Sequence, residues 1–405
     1  MSRPLTDRRV NFAYFSMQIC FWGIMSSFNG FQTAIALNRG FSSGQAGAFL
    51  AAGCLAGIFA QPLLGAWADR HPAVPLKVIF GGCMALALAV HGVFYFARPG
   101  FWGTALIFLI LGALETNSYP LIDAMAMQFL NAGVNVAYSL GRGLGSLAYA
   151  VVSVLAGQQV RIFGVESVLV THAALVVLLL AVTALFPRFS APPSRRADPA
   201  RPAGGTHSMW YILRNNPAFT VMLLACFFGL SAVMPLSNFL VNLVTDRGGD
   251  SGALGLAMFL MAASELPAAF LFQWLWRRVR IEKIMLGAVV FMALKPLAIL
   301  LCGDLRLLLA VQPIQMLGYG LFTPGNVYFA NENVPPEDRV QGQSLKMVAT
   351  NGLSGVAANL IAGSVIDSGG VNAMLVLCAC CGAVSVALAL WAVHLKTRER
   401  RVRGS

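Results

Sequence analysis

Long apolar runs, separated by short polar segments, form the hydrophobic pattern of this chain. A helix needs about 20 mainly apolar residues to cross the hydrocarbon core of a bilayer. Twelve runs satisfy that requirement, and each predicts one membrane-spanning helix. The predicted spans are 12–37, 46–68, 77–97, 102–128, 137–160, 166–186, 218–243, 252–276, 284–302, 307–330, 341–366 and 371–394.

The segment 187–217 interrupts this pattern between the sixth and seventh predicted spans. It is rich in Pro, Arg, Ser and Ala, which is typical of a solvated linker. The sequence therefore predicts an all-α polytopic membrane protein with two six-helix bundles. Residues 1–186 form the N-terminal bundle, 187–217 a cytoplasmic linker, and 218–405 the C-terminal bundle with a short basic tail.

Basic residues are distributed unequally among the polar segments that connect the spans. Cytoplasmic segments carry an excess of Lys and Arg in membrane proteins. With the N-terminus placed inside, twenty of the 28 basic residues fall on inner segments, five on outer segments and three within spans. This bias predicts that both termini are cytoplasmic.

The composition is typical of a membrane protein and reduces the number of plausible binding partners. Of the 405 residues, 58% are hydrophobic and only 11% are charged, against about 25% charged in soluble proteins. The net charge of +12 does not indicate a nucleic-acid partner, because the basic residues lie at predicted helix ends. The first apolar run continues past any plausible cleavage point, so no cleavable signal peptide is expected. The eight cysteines lie singly or in the segment Cys378-Ala-Cys380-Cys381, and the three in that segment have no His or carboxylate nearby in sequence. We therefore expect the cysteines to pack, with no metal and no cofactor.

Two charges within predicted spans, Asp123 and Arg142, are the strongest functional signal. An ionisable side chain at membrane depth costs roughly 2.5–3.5 kcal/mol on insertion scales, and such residues normally face a cavity or a partner. Each lies six residues from the predicted turn at 129–136, so both are expected roughly 9 Å into adjacent antiparallel helices. Equal depth permits a salt bridge, and the alternative is a pair that only stabilises the hairpin.

Neighbouring residues favour a binding site over a purely structural pair. Arg142 lies within 141–146, Gly-Arg-Gly-Leu-Gly-Ser, whose small residues allow close helix approach. Tyr149 follows two turns later on the same face and offers a ring for an apolar substrate surface. We therefore predict that Asp123, Arg142 and Tyr149 bind substrate.

The second half contains a similar pair. Glu265 lies twelve residues before Arg277, and Lys295 lies twelve residues after Lys283. Both are therefore expected near the bilayer midplane, where transporters place their substrates. Glu265 and Lys295 are predicted substrate ligands, with an internal structural ion pair as the alternative.

Several polar residues are weaker candidates. Glu115 lies two turns before Asp123, and secondary ligand candidates are Gln18, Asn238, Gln312 and Gln315. Such amides are as often helix-to-helix hydrogen bonds as ligand contacts. The remaining intramembrane groups are expected to be structural: Lys346 to snorkel, and His91 and His172 to pack.

Six plus six helices around a basic central segment resemble the major facilitator superfamily. The segment 65–70, Gly-Ala-Trp-Ala-Asp-Arg, follows the second predicted span and is similar to the superfamily's Gly-x-x-x-Asp-Arg/Lys loop. In that family the loop gates the movement of one helix against another. The resemblance implies a gating role for Gly65, Asp69 and Arg70, and the alternative is an ordinary charged turn.

Several segments resemble the lactose permease branch, the oligosaccharide–proton symporters, and the related phenylpropionate permeases. The matching segments are 60–65 and 69 around helix 2, 120–124 on helix 4, 142–150 on helix 5 and 265–266 on helix 8. The resemblance implies that Asp123, Arg142 and Glu265 bind sugar and that Tyr149 stacks on the sugar ring. Lys295 stands where that branch has an arginine.

The chain also departs from that branch. Where the lactose permease carries a histidine and a proton-binding glutamate on helix 10, this chain has Gln312 and Gln315. Glutamine does not titrate, so proton coupling, if retained, moves to Asp123, Glu115 or Glu265.

These observations predict a secondary transporter in a bacterial inner membrane, working as a monomer by alternating access. The expected substrate is a small hydroxylated molecule such as a sugar or nucleoside, moved in symport with protons. The alternatives are an uncoupled facilitator, an aromatic-acid uptake permease and a drug or metabolite efflux antiporter. An enzyme or sensor is disfavoured, because no Ser/His/Asp set, His-rich cluster or phosphate loop occurs in the sequence.

Overall fold

The computed structural model describes residues 7–71, 73–189, 208–335 and 338–403, and its regular elements are all helical. In lipid, a helix satisfies every backbone hydrogen bond within one segment. The helices before residue 190 are α1 (Asp7–Phe28), α2 (Gln32–Asn38), α3 (Ser43–Arg70), α4 (Leu76–Ala97), α5 (Phe101–Leu114), α6 (Tyr119–Asn131), α7 (Tyr138–Phe163) and α8 (Ser167–Leu185).

The helices after residue 207 are α9 (Met209–Asn215), α10 (Pro217–Asn238), α11 (Leu240–Asp246), α12 (Ser251–Trp276), α13 (Ile281–Leu300), α14 (Leu305–Val311), α15 (Tyr319–Asn333), α16 (Arg339–Met347) and α17 (Gly355–Arg403). Most of the predicted linker lies outside the described residues. Its last part forms α9, where the Ser208 side chain accepts a hydrogen bond from the Tyr211 N–H and so caps the helix.

Ten segments of the described chain are long and apolar enough to cross a membrane. Nine coincide with single predicted spans, and the tenth, Gln341–Arg401, covers the last two. Gly370, with φ 75°, interrupts the helical geometry inside it; glycine adopts this conformation easily because it lacks a Cβ. The first predicted span corresponds mainly to α1, which is not among the ten. A multi-pass membrane protein is thus confirmed, and twelve crossings remain a prediction.

The first of two compact units contains residues 7–41, 48–189 and 251–262 of the described chain. Its core surrounds α1, which packs on α7 and α8 and buries Tyr14 and Phe21 completely or nearly so. A Cβ on Gly141 would lie 2.3 Å from a ring carbon of Tyr14, and one on Gly145 2.4 Å from the Trp22 ring. The predicted close approach at these small residues is therefore confirmed.

The second unit contains residues 42–47, 208–250, 263–335 and 338–403 of the described chain. Its core lies where α10 packs on α13 and α17, with Met222, Met285 and Val289 fully buried. The Asp367 carboxylate accepts hydrogen bonds from the Ser43 and Gly44 N–H groups at 2.9 and 2.8 Å. It thereby supplies acceptors for the otherwise unpaired N–H groups at the start of α3.

Two spans are broken at corresponding places in the two halves of the sequence. The fourth predicted span, 102–128, is divided into α5 and α6 by a 3-10 turn at Thr116–Ser118. The tenth, 307–330, is divided into α14 and α15 by a 3-10 turn at Gln312–Met316. Interrupted spans in corresponding positions are a common feature of transporter binding sites.

Candidate functional site

Asp123 lies on α6, just beyond the first helix break, and is the centre of a polar cluster in the first unit. Its Oδ1 atom accepts hydrogen bonds from Gln18 Nε2 at 3.3 Å and from the Tyr119 hydroxyl at 3.1 Å. The Tyr138 hydroxyl, at the start of α7, also donates to this carboxylate. Side chains of α1, α6 and α7 therefore meet at one half-buried carboxylate, which gives its charge hydrogen-bond partners.

Arg142 lies close to this cluster but does not pair with Asp123 in the way its sequence position suggested. Its guanidinium carbon lies 4.9 Å from the centre of the Tyr119 ring and 5.5 Å from that of Trp22, distances typical of cation–π contacts. No salt bridge joins Arg142 to Asp123 in the described part of the chain. The Arg142 Nη1 atom is buried without an acceptor among those residues.

Asp123 and Arg142 do not lie equally far from the ends of their helices, as the sequence suggested, and their equal depth in the membrane stays a prediction. Because α6 ends at Asn131 and α7 begins at Tyr138, Asp123 lies eight residues from its helix end and Arg142 only four. At 1.5 Å per residue these are roughly 12 and 6 Å. Both groups instead contact side chains of α1, the carboxylate at Gln18 and the guanidinium at Trp22.

The face of α1 contributes more to this cluster than the sequence alone indicated. Gln18 donates to the Tyr14 hydroxyl at 2.9 Å and accepts from Trp22 Nε1 at 3.1 Å. The Tyr14 ring stacks on Tyr138, with centroids 5.9 Å apart. Gln18 was a secondary candidate, whereas the roles of Tyr14, Tyr119 and Tyr138 were missed. The spacing of Tyr14, Gln18 and Trp22, four residues apart on one helix, is the signal that identifies this face.

Tyr149 reaches the cluster through Trp22. The two rings lie 6.4 Å apart in an edge-to-face arrangement, and the Tyr149 backbone carbonyl accepts from the Ser26 hydroxyl at 2.9 Å. A ligand that occupied this region would meet ring faces as well as charged groups. Its role as a stacking residue stays a prediction.

The second unit connects Glu265 and Lys295 through an amide that was only a secondary candidate. Lys295, 2% exposed, donates to Gln315 Oε1 at 2.8 Å. Gln315 Nε2 donates in turn to Glu265 Oε1 at 3.2 Å. Glu265 therefore faces Lys295 through Gln315, which lies in the second helix break. The expected direct pair is not present among the described residues.

The other secondary candidates are occupied by helix contacts. Gln312 donates to the carbonyl of Leu308 in the preceding helix α14, and Asn238 donates to Asn359 Oδ1 at 2.6 Å. Lys346 does not snorkel to the surface, because its side chain is 8% exposed. Buried polar groups of this kind normally hold helices together.

The predicted gating segment is helical and does not form a loop. Gly65, Asp69 and Arg70 lie in the last two turns of α3, which ends two residues before Pro72, as expected because proline disfavours helix in the preceding residue. The Asp69 side chain is not among those the structure describes.

The surroundings of this segment include a basic side chain and a cavity. Lys77 donates to the carbonyl of Phe186 at 2.6 Å, next to the end of α8. A cavity of about 630 Å³ lies beside this segment, and its lining includes Gly65 but neither Asp123 nor Arg142. Gating remains a prediction.

Glu115 does not join the Asp123 cluster, although both belong to the same predicted span. It directly follows the last residue of α5 and lies against His91 and His172, and all three side chains are buried. The expectation that the two histidines only pack is therefore wrong. Their partner is 24 residues from one and 57 from the other in sequence, so no local pattern reveals it.

Comparison with known proteins places this geometry in a known class. The family described as the MFS_1 like family matches residues 10–376. A maltose permease of Geobacillus stearothermophilus is 24% identical over 349 residues, 84% of this chain and 83% of the relative. The crystal structure of the nucleoside transporter NupG is similar with a TM-score of 0.78 at 17% identity, covering 96% of this chain and 98% of that one. An autoinhibited peptide transporter of the POT family has a TM-score of 0.73 at 13% identity, over 96% and 97% of the two chains.

The family match covers most of the chain, and the solved relatives share its fold over nearly its full length. The chain therefore belongs to the MFS_1 like family, and it is a membrane transporter of the major facilitator superfamily type.

Proposed function

We propose that this protein moves a small hydroxylated solute, a sugar or a nucleoside, in symport with protons by alternating access. It works as a monomer with both termini in the cytoplasm of a bacterial cell, in the inner membrane, as the distribution of Lys and Arg supports. The proposal extends to two six-helix bundles with twelve crossings.

The observation that carries this proposal is the placement of polar groups at the two matched helix breaks. Asp123 follows the break between α5 and α6, and Gln315 lies within the break between α14 and α15. Each is hydrogen-bonded to side chains from other helices. Placing charged and amide side chains within a membrane costs free energy. A solute site would account for the presence of such side chains at the helix breaks in both halves.

The first cluster has the chemistry that a sugar or nucleoside requires. Asp123 offers acceptor oxygens for solute hydroxyls, and Arg142 has a buried donor without an acceptor among the residues that the structure describes. Trp22 and Tyr149 offer ring faces to a sugar ring or a base. The names of the relatives agree with this chemistry, since one is a maltose permease and another a nucleoside transporter.

One observation favours a second candidate, uptake of an aromatic acid. The Nη1 atom of Arg142, which has no acceptor within the described part of the chain, suits a carboxylate, because a carboxylate accepts bidentate hydrogen bonds from arginine. The surrounding aromatic rings would pack against the apolar part of such a solute.

Purified protein in lipid vesicles distinguishes these possibilities. We expect radiolabelled maltose or uridine to enter against its concentration when an inward proton gradient is imposed, and the external solution to become more alkaline as it enters. Uptake of neither solute, with uptake of phenylpropionate, would replace the proposal by the aromatic-acid candidate. Uptake without any response to the gradient would leave an uncoupled facilitator.

The Asp123→Asn variant tests the site itself. It preserves the shape of the side chain but removes its charge, so binding of the transported solute should be lost. The matched control is Asp246→Asn, which changes a partly exposed aspartate beside Arg247. Unchanged binding by Asp123→Asn would reduce Asp123 to a structural role.

A further inference from the structure

Glu115, His91 and His172 form a buried group, the His–Glu–His cluster, inside the first unit. Their exposed fractions are 2%, 3% and 0%. His91 Nε2 lies 3.1 Å from Glu115 Oε2, and His172 Nε2 lies 3.6 Å from Glu115 Oε1. The two imidazole rings are 3.8 Å apart between centroids. One carboxylate thus faces two imidazoles that come from different helices, α4 and α8.

An aromatic ring covers the cluster, and the described residues around it supply no further charge. The Phe28 ring of α1 covers both imidazoles, 4.5 Å from His91 and 5.3 Å from His172 between centroids. No other charged side chain of the described residues contacts the three, whether on α1, α4, α5 or α8. Any charge in this site must therefore be balanced by the three groups themselves.

Charge balance requires one proton. A carboxylate buried alone in the bilayer is costly, as is an isolated imidazolium. With one proton shared between Glu115 and an imidazole, the cluster is neutral; without it, the cluster carries one negative charge. Loss of the proton is therefore disfavoured unless the site meets water or a cation.

The cluster is also incompletely bonded. Glu115 Oε1 and His172 Nε2 face each other, yet neither has a hydrogen-bond partner among the described residues. Almost all buried polar atoms in native proteins are paired, and an exception needs an explanation. A proton placed between Glu115 Oε1 and His172 Nε2 would supply the hydrogen bond that both atoms lack here.

Two imidazoles and a carboxylate are also donors that metal ions use. A histidine that binds a metal normally donates its second ring N–H to an acceptor. His91 Nδ1 has no such acceptor in the described part of the chain. The geometry therefore favours a proton.

We propose that the His–Glu–His cluster is the proton-binding site of the transport cycle, separate from the solute site around Asp123. Glu115 takes up one proton when the site faces outside, which converts its carboxylate to the acid, and releases that proton inside. The two imidazoles hold the proton in transit and orient the carboxyl. This inference rests on the proposed symport and names the group that performs it.

The helix break provides the connection between proton and solute. Glu115 directly follows the last residue of α5, and its backbone carbonyl accepts a hydrogen bond from the Ser118 hydroxyl at 2.9 Å. The next residue, Tyr119, begins α6 and donates to Asp123. A change in the direction of α6 when solute binds would therefore move the end of α5 and change the contacts of Glu115.

Glu115→Gln tests this assignment, because glutamine cannot release a proton. Under an inward gradient of one pH unit, one-to-one coupling supports about tenfold accumulation of maltose or uridine. The variant should retain exchange of internal for external solute but lose that accumulation. His91→Gln and His172→Gln should shift the pH profile of accumulation. Accumulation by Glu115→Gln at the level of the wild type would overturn the assignment.

The controls separate this inference from the proposed function. Glu332→Gln and His394→Gln change exposed groups of the same types and should leave coupling unchanged. If the wild-type protein accumulates neither solute, the symport proposal fails. Proton binding by the His–Glu–His cluster can then still be tested in the absence of any solute.

Infrared difference spectra of the purified protein between acidic and alkaline pH provide that second test. The band of a buried protonated carboxyl should appear in the wild type and be lost in Glu115→Gln. Absence of a band that depends on Glu115 would overturn the assignment. Binding of Zn²⁺ that is lost in His91→Gln would also overturn it, in favour of a metal site.

Discussion

Lys295 donates a hydrogen bond of 2.8 Å to the side-chain oxygen of Gln315. Both side chains are buried, and the other end of the same amide donates to Glu265. A glutamine with no charge of its own therefore sets the distance between two charged groups. The residue that seemed to mark a missing proton carrier in this chain is the structural link of the second polar cluster.

Removal of the Gln315 amide should lower the stability of the folded protein. In Gln315→Leu the Lys295 ammonium loses its acceptor, and a buried unsatisfied polar group costs about 1–3 kcal/mol, more when it is charged. The apparent melting temperature of the detergent-purified protein should fall, as measured by intrinsic tryptophan fluorescence.

The double variant Lys295→Met with Gln315→Leu provides the control. Because it removes both partners, it should recover part of the stability that Gln315→Leu loses, since coupled residues are not additive. The stability losses of the single variants Lys295→Met and Gln315→Leu are measured as well. If the loss in the double variant equals the sum of the two single losses, the hydrogen bond between Lys295 and Gln315 makes no contribution to stability.

The contact between α1 and α7 predicts opposite effects for two neighbouring glycines. A Cβ at Gly141 would lie 2.3 Å from the Tyr14 ring, whereas one at Gly143 would meet no atom within 4 Å. Gly141→Ala should therefore lower stability by about 1–3 kcal/mol through overpacking. Gly143→Ala, the matched control on the same helix, should leave the melting temperature unchanged or raise it. Equal effects at both positions would contradict the packing.

A salt bridge at the helix ends, outside the ten apolar segments of the described chain that could cross a membrane, makes a pH-dependent contribution. Arg39 binds Glu166 through two nitrogens, at 2.8 Å each, and the Arg39 side chain is only 6% exposed. The hydrogen bond from Arg39 is the main cause that lowers the pKa of Glu166.

A carboxyl with a lowered pKa contributes stability that is present above its unfolded pKa and is lost as the pH falls through its folded pKa. The melting temperature of Glu166→Gln should therefore lie below that of the wild type at neutral pH. The difference should shrink as the pH falls into the acidic range. A difference that stays constant with pH would show that Glu166 contributes through packing alone.

The hydrophobic pattern alone was enough for the membrane character and for most of the spans. Nine predicted spans match single apolar segments of the structure, because length and hydropathy are properties of a local stretch of chain. The pattern could not reveal the break at Thr116–Ser118, since apolar residues continue on both sides of it. The last two predicted spans lie on either side of Gly370, whose non-helical backbone interrupts the apolar segment Gln341–Arg401.

The sequence by itself also identified which charges enter the membrane, including Asp123, Arg142 and Lys295, because an ionisable residue inside an apolar run is visible without any structure. The tertiary structure alone decided their partners. Asp123 meets Gln18 across 105 positions, and Glu115 meets His91 rather than Asp123. Partners depend on how each helix is rotated and where it ends, and both follow from packing between distant residues, such as Tyr14 against Gly141. A local sequence pattern therefore cannot predict these partners.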